Sequence, residues 1–140
     1  MRLALAAAWI VLAGPVVAAD AGIEVIVTEL RSEGATLNCA LFSTPQGFPD
    51  PRKSIAKATA TVRDGQAVCR FVGVQAGSYA VAVFEDRNGN GVLDTNVFGV
   101  PTEGVAFSRD ARGRLGPPSF ETAGFVHGSE ATRLHLRAVY

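Results

Sequence analysis

Apolar and polar residues alternate with a period of two along most of the chain after its first twenty residues, and that rhythm constrains the fold more than any other feature. In "GIEVIVTEL", Ile23, Val25 and Val27 share one face, set against Glu24, Ile26 and Thr28. In "ATLNCALF", Leu37, Cys39 and Leu41 share another. The turn residues Ser32 and Gly34 between these runs predict a hairpin. A second hairpin is predicted in "AKATATVRDGQAVCRFV", where Asp64-Gly65 is a two-residue turn signal of type I′. Pairing outward from that turn sets Val62 opposite Ala67, Ala60 opposite Cys69 and Ala58 opposite Phe71, with the polar residues on the other face. A slip of one residue would scramble this segregation.

Further along, "VQAGSYAVAVFED" is apolar on both faces, with Tyr79, Val81 and Val83 on one side and Ala80, Ala82 and Phe84 on the other. Such a strand is central and covered twice. From Val97 to Pro118 the rhythm fails and Gly and Pro punctuate the chain, which predicts a long irregular loop. "SFETAGFV" and "ATRLHLRAVY" return to strands joined by "HGSE", with Leu134, Leu136, Ala138 and Tyr140 inward and Arg133, His135 and Arg137 outward. About seven strands and no helix predict an all-β fold, a single antiparallel β-sandwich with one long Gly/Pro-rich loop.

The first nineteen residues belong to a different problem. "MRLALAAAWIVLAGPVVAAD" carries Arg2 as its only charge before Asp20, then an apolar run, then Val17-Ala18-Ala19, which suits cleavage after Ala19. This reads as a signal peptide over residues 1–19, leaving a domain over 20–140 that is exported, periplasmic or secreted. Spanning a bilayer takes roughly 20 apolar residues, and Gly14-Pro15 breaks this run, so stable membrane insertion after cleavage is not expected. Roughly 120 residues remain, enough for one core. The chain holds 13 basic and 13 acidic residues. It has no basic field for nucleic acid. Cys39 and Cys69 are the only two cysteines, and in an oxidising compartment they are a disulfide candidate. Their bridge would close a loop of about 30 residues.

The candidate functional segment is "FEDRNGNGVLDTN". Asp86, Asn88, Asn90, Val92 (through its carbonyl) and Asp94 fall at alternate positions, with Gly91 at the sixth. This is the front half of a calcium-loop pattern, in which hard oxygen donors at every second residue converge because glycine permits a sharp turn. The twelfth position, a bidentate Glu in an EF-hand, is Val97, and no helix signal flanks the loop, so an EF-hand is rejected. Asn96 is a weaker ligand candidate, and Asn96, Glu103 or Asp110 would have to close the shell. The competing reading is a metal-free turn, since Asn-Gly pairs and Asx side chains shape such loops without an ion. The residues alone leave both open.

Other chemistry is poorly represented. His127 reads as a turn residue and His135 as a residue on a solvent face. There are too few His and free Cys for a zinc site. No Gly-x-Ser-x-Gly elbow is present, Glu85 and Asp86 point to opposite sides of a strand, and no catalytic constellation assembles. Arg109, Arg112 and Arg114 form a small basic cluster around Asp110.

The blocks "ALFSTPQGFPD", "GSYAVAVFEDRNGNGVLDTNVFGVPTEGVAFS" and "GPPSFETAGF" resemble the bacterial exported proteins grouped as domain of unknown function 2141. That resemblance implies a secreted or periplasmic β-sandwich and no established activity. "AGSYAVAV" also looks like transthyretin-like and adhesin B-type sandwiches, and "FEDRNGNGVLD" like the calcium loops of B-type repeats. The Lys–Asn crosslink of such adhesins is not expected, because the only lysines are Lys53 and Lys57. The expectation is therefore a non-enzymatic module that binds an envelope or extracellular protein or polysaccharide, with calcium in the 86–96 loop as a candidate ion. The alternative is a small-molecule carrier or receptor using an apolar cleft under residues 97–118, beneath Phe98, Phe107 and Phe120.

Overall fold

The computed structural model describes residues 21–140, so the leader assigned to residues 1–19 lies outside the described residues. The described chain is mostly β. Eight strands run in order as β1 (Ile23–Thr28), β2 (Thr36–Phe42), β3 (Ala56–Thr61), β4 (Ala67–Phe71), β5 (Gly77–Asp86), β6 (Val105–Phe107), β7 (Phe125–His127) and β8 (Thr132–Arg137), with one helical turn, α1 (Phe120–Ala123), before β7. They form two sheets. One has the order β4-β1-β8; the other has the order β3-β2-β5-β6, with β7 also paired to β5.

The alternation places most side chains where the sequence reading expects them; Tyr140, expected inward, is instead 44% exposed. Ile23, Val25 and Val27 of β1 are buried, as are Ala67, Cys69 and Phe71 of β4. They join Leu37, Cys39, Leu41, Tyr79, Val81, Val83 and Leu136 in one core that draws on both sheets. The disulfide joins Cys39 of β2 to Cys69 of β4, across the two sheets, with Cα atoms 6.6 Å apart.

Strand partnership departs from expectation, and in the same way twice. β1 and β2 are not a hairpin: β1 pairs with β4 and β8, and β2 with β3 and β5. The Asp64-Gly65 turn does form, with φ of 53° and 74°, and Arg63 and Gln66 exchange both backbone bonds at 2.9 and 3.0 Å. Beyond that pair the two strands part. The amide of Val62 donates to the carbonyl of Ala35 (2.9 Å), so β3 stays with β2 while β4 crosses to β1. Ala60 consequently faces Leu37 across the ladder, and Cys69 faces Val25. A period of two fixes which face a residue occupies; it is equally satisfied by a flat hairpin and by a chain that turns a corner between sheets.

The pairing of β1 with β8 is parallel, whereas the sequence reading expects antiparallel strands throughout. Its register sets Glu24 directly between Arg70 and Arg133, and the carboxylate bridges both guanidinium groups at 3.3 and 3.2 Å. Opposite charges placed side by side on the solvent face support that register.

β5 is the central strand. Every residue from Tyr79 to Asp86 is buried. One face meets the core; on the other, Ala80 and Ala82 lie beneath a cluster of Phe48, Phe107 and Phe120. Phe48, from the segment between β2 and β3, stands edge-on to Phe42, Phe107 and Phe120 at 5.0, 6.2 and 5.9 Å between centroids. Aromatic edges against faces cover the sheet without a polar cost.

The stretch expected to be irregular from Val97 to Pro118 contains β6, three residues too short to show a period, paired with β5. Ser108 follows it, fully buried, accepting from the amide of Val81 (2.9 Å) and donating to the carbonyl of Ala123 (2.5 Å). The expected strand from Ser119 to Val126 begins instead as the helical turn α1. The Ser119 hydroxyl accepts from the amide of Thr122 at 3.1 Å, a cap that favours a helical start after Pro117-Pro118. His127 is fully buried rather than a surface turn residue. Its Nε2 faces the carbonyls of Ala21 (2.7 Å) and Val74 (3.2 Å), so the ring proton sits there, and Nδ1 accepts from the Thr132 hydroxyl at 2.7 Å. It ties three segments together.

Candidate functional site

The 86–96 loop leaves the C-terminal end of β5, so its first residue is held by the best-buried strand of the domain. Asp86 is 4% exposed. Its Oδ1 accepts from the amide of Gly89 (3.1 Å) and its Oδ2 from the amide of Gly91 (2.8 Å). These bonds require the chain to double back at once, and Gly89 and Gly91 do so with φ of 72° and 75°, where a side chain is strained. Asn88 Oδ1 accepts from the amide of Asn90 (3.2 Å), and Asn90 Oδ1 from that of Val92 (3.1 Å). Two successive Asx turns, at Asn88 and Asn90, and the Asp86 carboxylate therefore wind the loop.

The other ends of the two Asn side chains meet at one point. Asn88 Nδ2 donates to Asp94 Oδ2 at 2.6 Å, and Asn90 Nδ2 donates to the Asp94 carboxylate at 2.8 and 3.1 Å. These amide donors, Asn90 first and Asn88 next, hold the Asp94 carboxyl below the usual carboxylate range.

Glu103 closes the loop from beneath. It is 3% exposed, and its carboxylate accepts from the amides of Arg87 (3.2 Å) and Asp94 (3.3 Å). Burial pushes its carboxyl up. Asn88, Asp94 and Glu103 line an open hollow of ≈ 550 Å³ together with Ser32, Arg87 and Thr102. Asp110 is elsewhere, accepting from the backbone amide of Arg137 at 2.9 Å. Asn96 caps its own turn, accepting from the amides of Phe98 (2.9 Å) and Val100 (3.1 Å). Val92 is exposed. The loop thus brings together the side chains of Asn88, Asn90 and Asp94, with Glu103 bonded to the Asp94 amide, while Asp86 closes on the amides of Gly89 and Gly91, and Asn96 and Asp110 are turned to other work.

Among the described residues, no group of three or more His, Cys, Asp or Glu side chains stands positioned to hold a metal ion. A calcium shell here would have to recruit amide oxygens. Oxygen ligands of the right kind are present, but both Asn side chains reach Asp94 through nitrogen, while their oxygens accept from the amides of Asn90 and Val92, so an ion would need both amides turned over. An ion would take over what the amide N–H groups now do for Asp94, with the Asn oxygens turned inward.

Further structure was missed by sequence reasoning. Glu85, set aside as one of two adjoining carboxylates, is fully buried and accepts from the amides of Arg31 and Ser32 and from the hydroxyl of Tyr140. Asn38, on the outward side of β2, carries a buried side-chain Nδ2 with no hydrogen-bond partner. An unmade buried bond costs about 1–3 kcal/mol. Periodicity marks Asn38 only as outward. Of the arginine cluster, Arg109 donates to the carbonyl of Gly124 (3.3 Å), while Arg112 and Arg114 are exposed. Of the three aromatics assigned to a cleft under residues 97–118, Phe107 and Phe120 pack against Phe48, and Phe98 is 86% exposed.

An all-β domain of two disulfide-linked sheets, with an Asp/Asn loop wound at the end of its central strand, is the class these features define. Residues 25–135 match the family model described as "Uncharacterized protein conserved in bacteria (DUF2141)", and the chain belongs to that family. No curated protein and no solved structure matches it.

Proposed function

We propose that this chain is an exported, non-enzymatic β-sandwich module of transthyretin-like type, whose 86–96 loop takes up calcium weakly and presents a surface to an envelope or extracellular protein or polysaccharide. The observation that carries the reading is the convergence of Asn88 and Asn90 on the Asp94 carboxylate, with Asp86 and Glu103 anchoring the same loop from buried positions. Asp86, Asn88, Asn90, Asp94 and the carbonyl of Val92 would hold the ion. Glu103 is the favoured residue to complete the shell, in place of Asn96.

The ion would supply fixed positive charge and nothing reactive. Two loop carboxylates, a third in Glu103 that must turn in from its backbone amides, and neutral Asn amides give affinity on the order of 10⁻⁴–10⁻³ M, which suits an extracellular medium rather than a cytosolic sensor. Export is supported by the apolar leader and by the disulfide, which belongs to an oxidising compartment. The surface that a stiffened loop would present is apolar: Val97 and Phe98 are 93% and 86% exposed at its far end.

Amide NMR spectra recorded as calcium is added test this reading. Saturable shifts of the Gly91, Val92 and Asp94 amides, absent in Asp94→Ala, are the expected result. Unchanged spectra at millimolar calcium would remove the ion from the proposal.

A further inference from the structure

The outward face of the β3-β2-β5-β6 sheet carries a second feature, independent of any ion. A groove of ≈ 180 Å³ lies across β2 and β5, floored by Ala40, Ala82 and Phe107 and walled by Pro49 on one side and Leu93 on the other. An apolar cavity of roughly 150 Å³ accommodates a benzene ring. The groove is therefore sized for one ring or a short branched chain.

Its polar side chains are three: Asn38, Lys57 and Thr59, the last opposite Asn38 in the β2–β3 register. Asn38 lines it, and the Asn38 Nδ2 is buried without a partner. Lys57, opposite Ala40 in the β2–β3 register, lines it as well and forms no ion pair among the described residues. No carboxylate lines the groove. A buried donor without an acceptor, beside an unpaired ammonium and above an apolar floor, is complementary to an anion with an apolar body.

We infer that this groove binds a small apolar carboxylic acid of about six to eight carbons, its carboxylate facing Lys57 and accepting from Asn38 Nδ2 as that side-chain amide turns from its buried position toward the groove, its hydrocarbon against Ala40, Ala82 and Phe107. The inference does not rest on calcium; the groove is walled by Pro49 and by Leu93 of the 86–96 loop, with Val105 and Phe107 of β6 also lining it. Failure of the calcium reading would leave it standing, and the reverse holds too.

Benzoate is the probe, titrated into the ¹⁵N-labelled protein. The side-chain amide resonances of Asn38 are expected to shift saturably with a dissociation constant of about 1 mM or lower. Asn38→Leu, which removes the donor and keeps the volume, should weaken binding about tenfold or more, with spectral dispersion showing that it folds. Lys57→Met, at an exposed position, should weaken benzoate and leave benzyl alcohol unchanged. No saturable shift up to about 20 mM benzoate, or equal affinity in Asn38→Leu, would overturn the site. Benzyl alcohol binding as tightly as benzoate would overturn the acid preference.

Discussion

The hydroxyl of Tyr140 donates to the buried carboxylate of Glu85, linking the third residue after β8 to the end of β5. The same hydroxyl accepts from the amide of Arg31 at 3.0 Å, and the Arg31 guanidinium lies 4.0 Å over the Tyr140 ring. Glu85 forms no ion pair among the described residues; its carboxyl is held by the amides of Arg31 and Ser32 and by the Tyr140 hydroxyl. Tyr140→Phe keeps the ring and removes one donor. It should lower stability by about 1–3 kcal/mol, the cost of a buried group left short of a bond. Urea denaturation of the two proteins measures it.

The same contact carries a pH dependence. Burial, and then the bond to Glu85, push the Tyr140 phenol up to about 12 from its ordinary 10.0. The folded chain keeps a proton that the unfolded chain gives up, so this contribution is complete below pH 10 and is lost as pH rises toward 12. NMR of ¹³C-labelled tyrosine should show Tyr140 ionising near the top of that interval. Tyr140→Phe should flatten the alkaline fall in melting temperature.

The Cys39–Cys69 bridge spans the two sheets and closes a separation of 30 residues. Restricting the unfolded chain over that span is worth roughly 3–4 kcal/mol in the chain-entropy account. Replacing both cysteines by Ala, or reducing the bridge, should lower the denaturation midpoint accordingly. Mass spectrometry of the unreduced protein should find the pair intact.

Asn38→Leu should behave differently from most substitutions in a sheet. It exchanges an unpaired buried donor for a hydrocarbon of similar size. Stability should hold or rise, by up to about 1–2 kcal/mol, where most substitutions lower it. A drop of that size would mean that Asn38 is satisfied in solution.

Which faces are buried was legible in the residues; which strands are neighbours was not. Val25, Cys39, Cys69 and Leu136 all point inward as alternation requires. Alternation says nothing about the corner after Arg63, where a sound type I′ turn opens into two different sheets. The apolar faces of β3 and β4 suit each other side by side or across a core, and only the competition of β1 and β2 for partners decides. β6 escaped notice because three residues carry no period, and α1 because its signal is a single capping serine. His127 was misjudged because a turn-like sequence context does not reveal the two carbonyls that converge on its ring. Of the loop, the glycines and the spacing of Asp86, Asn88, Asn90 and Asp94 were readable. The position of Glu103 beneath them depends on the chain returning from residue 94 to residue 102, where the amide of Thr102 donates to the carbonyl of Asp94 at 2.9 Å.

Whether Asp94 and its two amide neighbours make room for an ion is settled most directly by calorimetric titration of the purified protein with calcium. The expected outcome is saturable heat with a dissociation constant on the order of 10⁻⁴–10⁻³ M, lost in Asp94→Ala. At about ten times that constant, linkage should stabilise the fold by roughly 1.4 kcal/mol, a rise of a few degrees in melting temperature. Absence of heat, with a melting temperature unmoved by millimolar calcium, would contradict the account and leave a loop of two Asx turns and the Asp86 carboxylate, closed on itself.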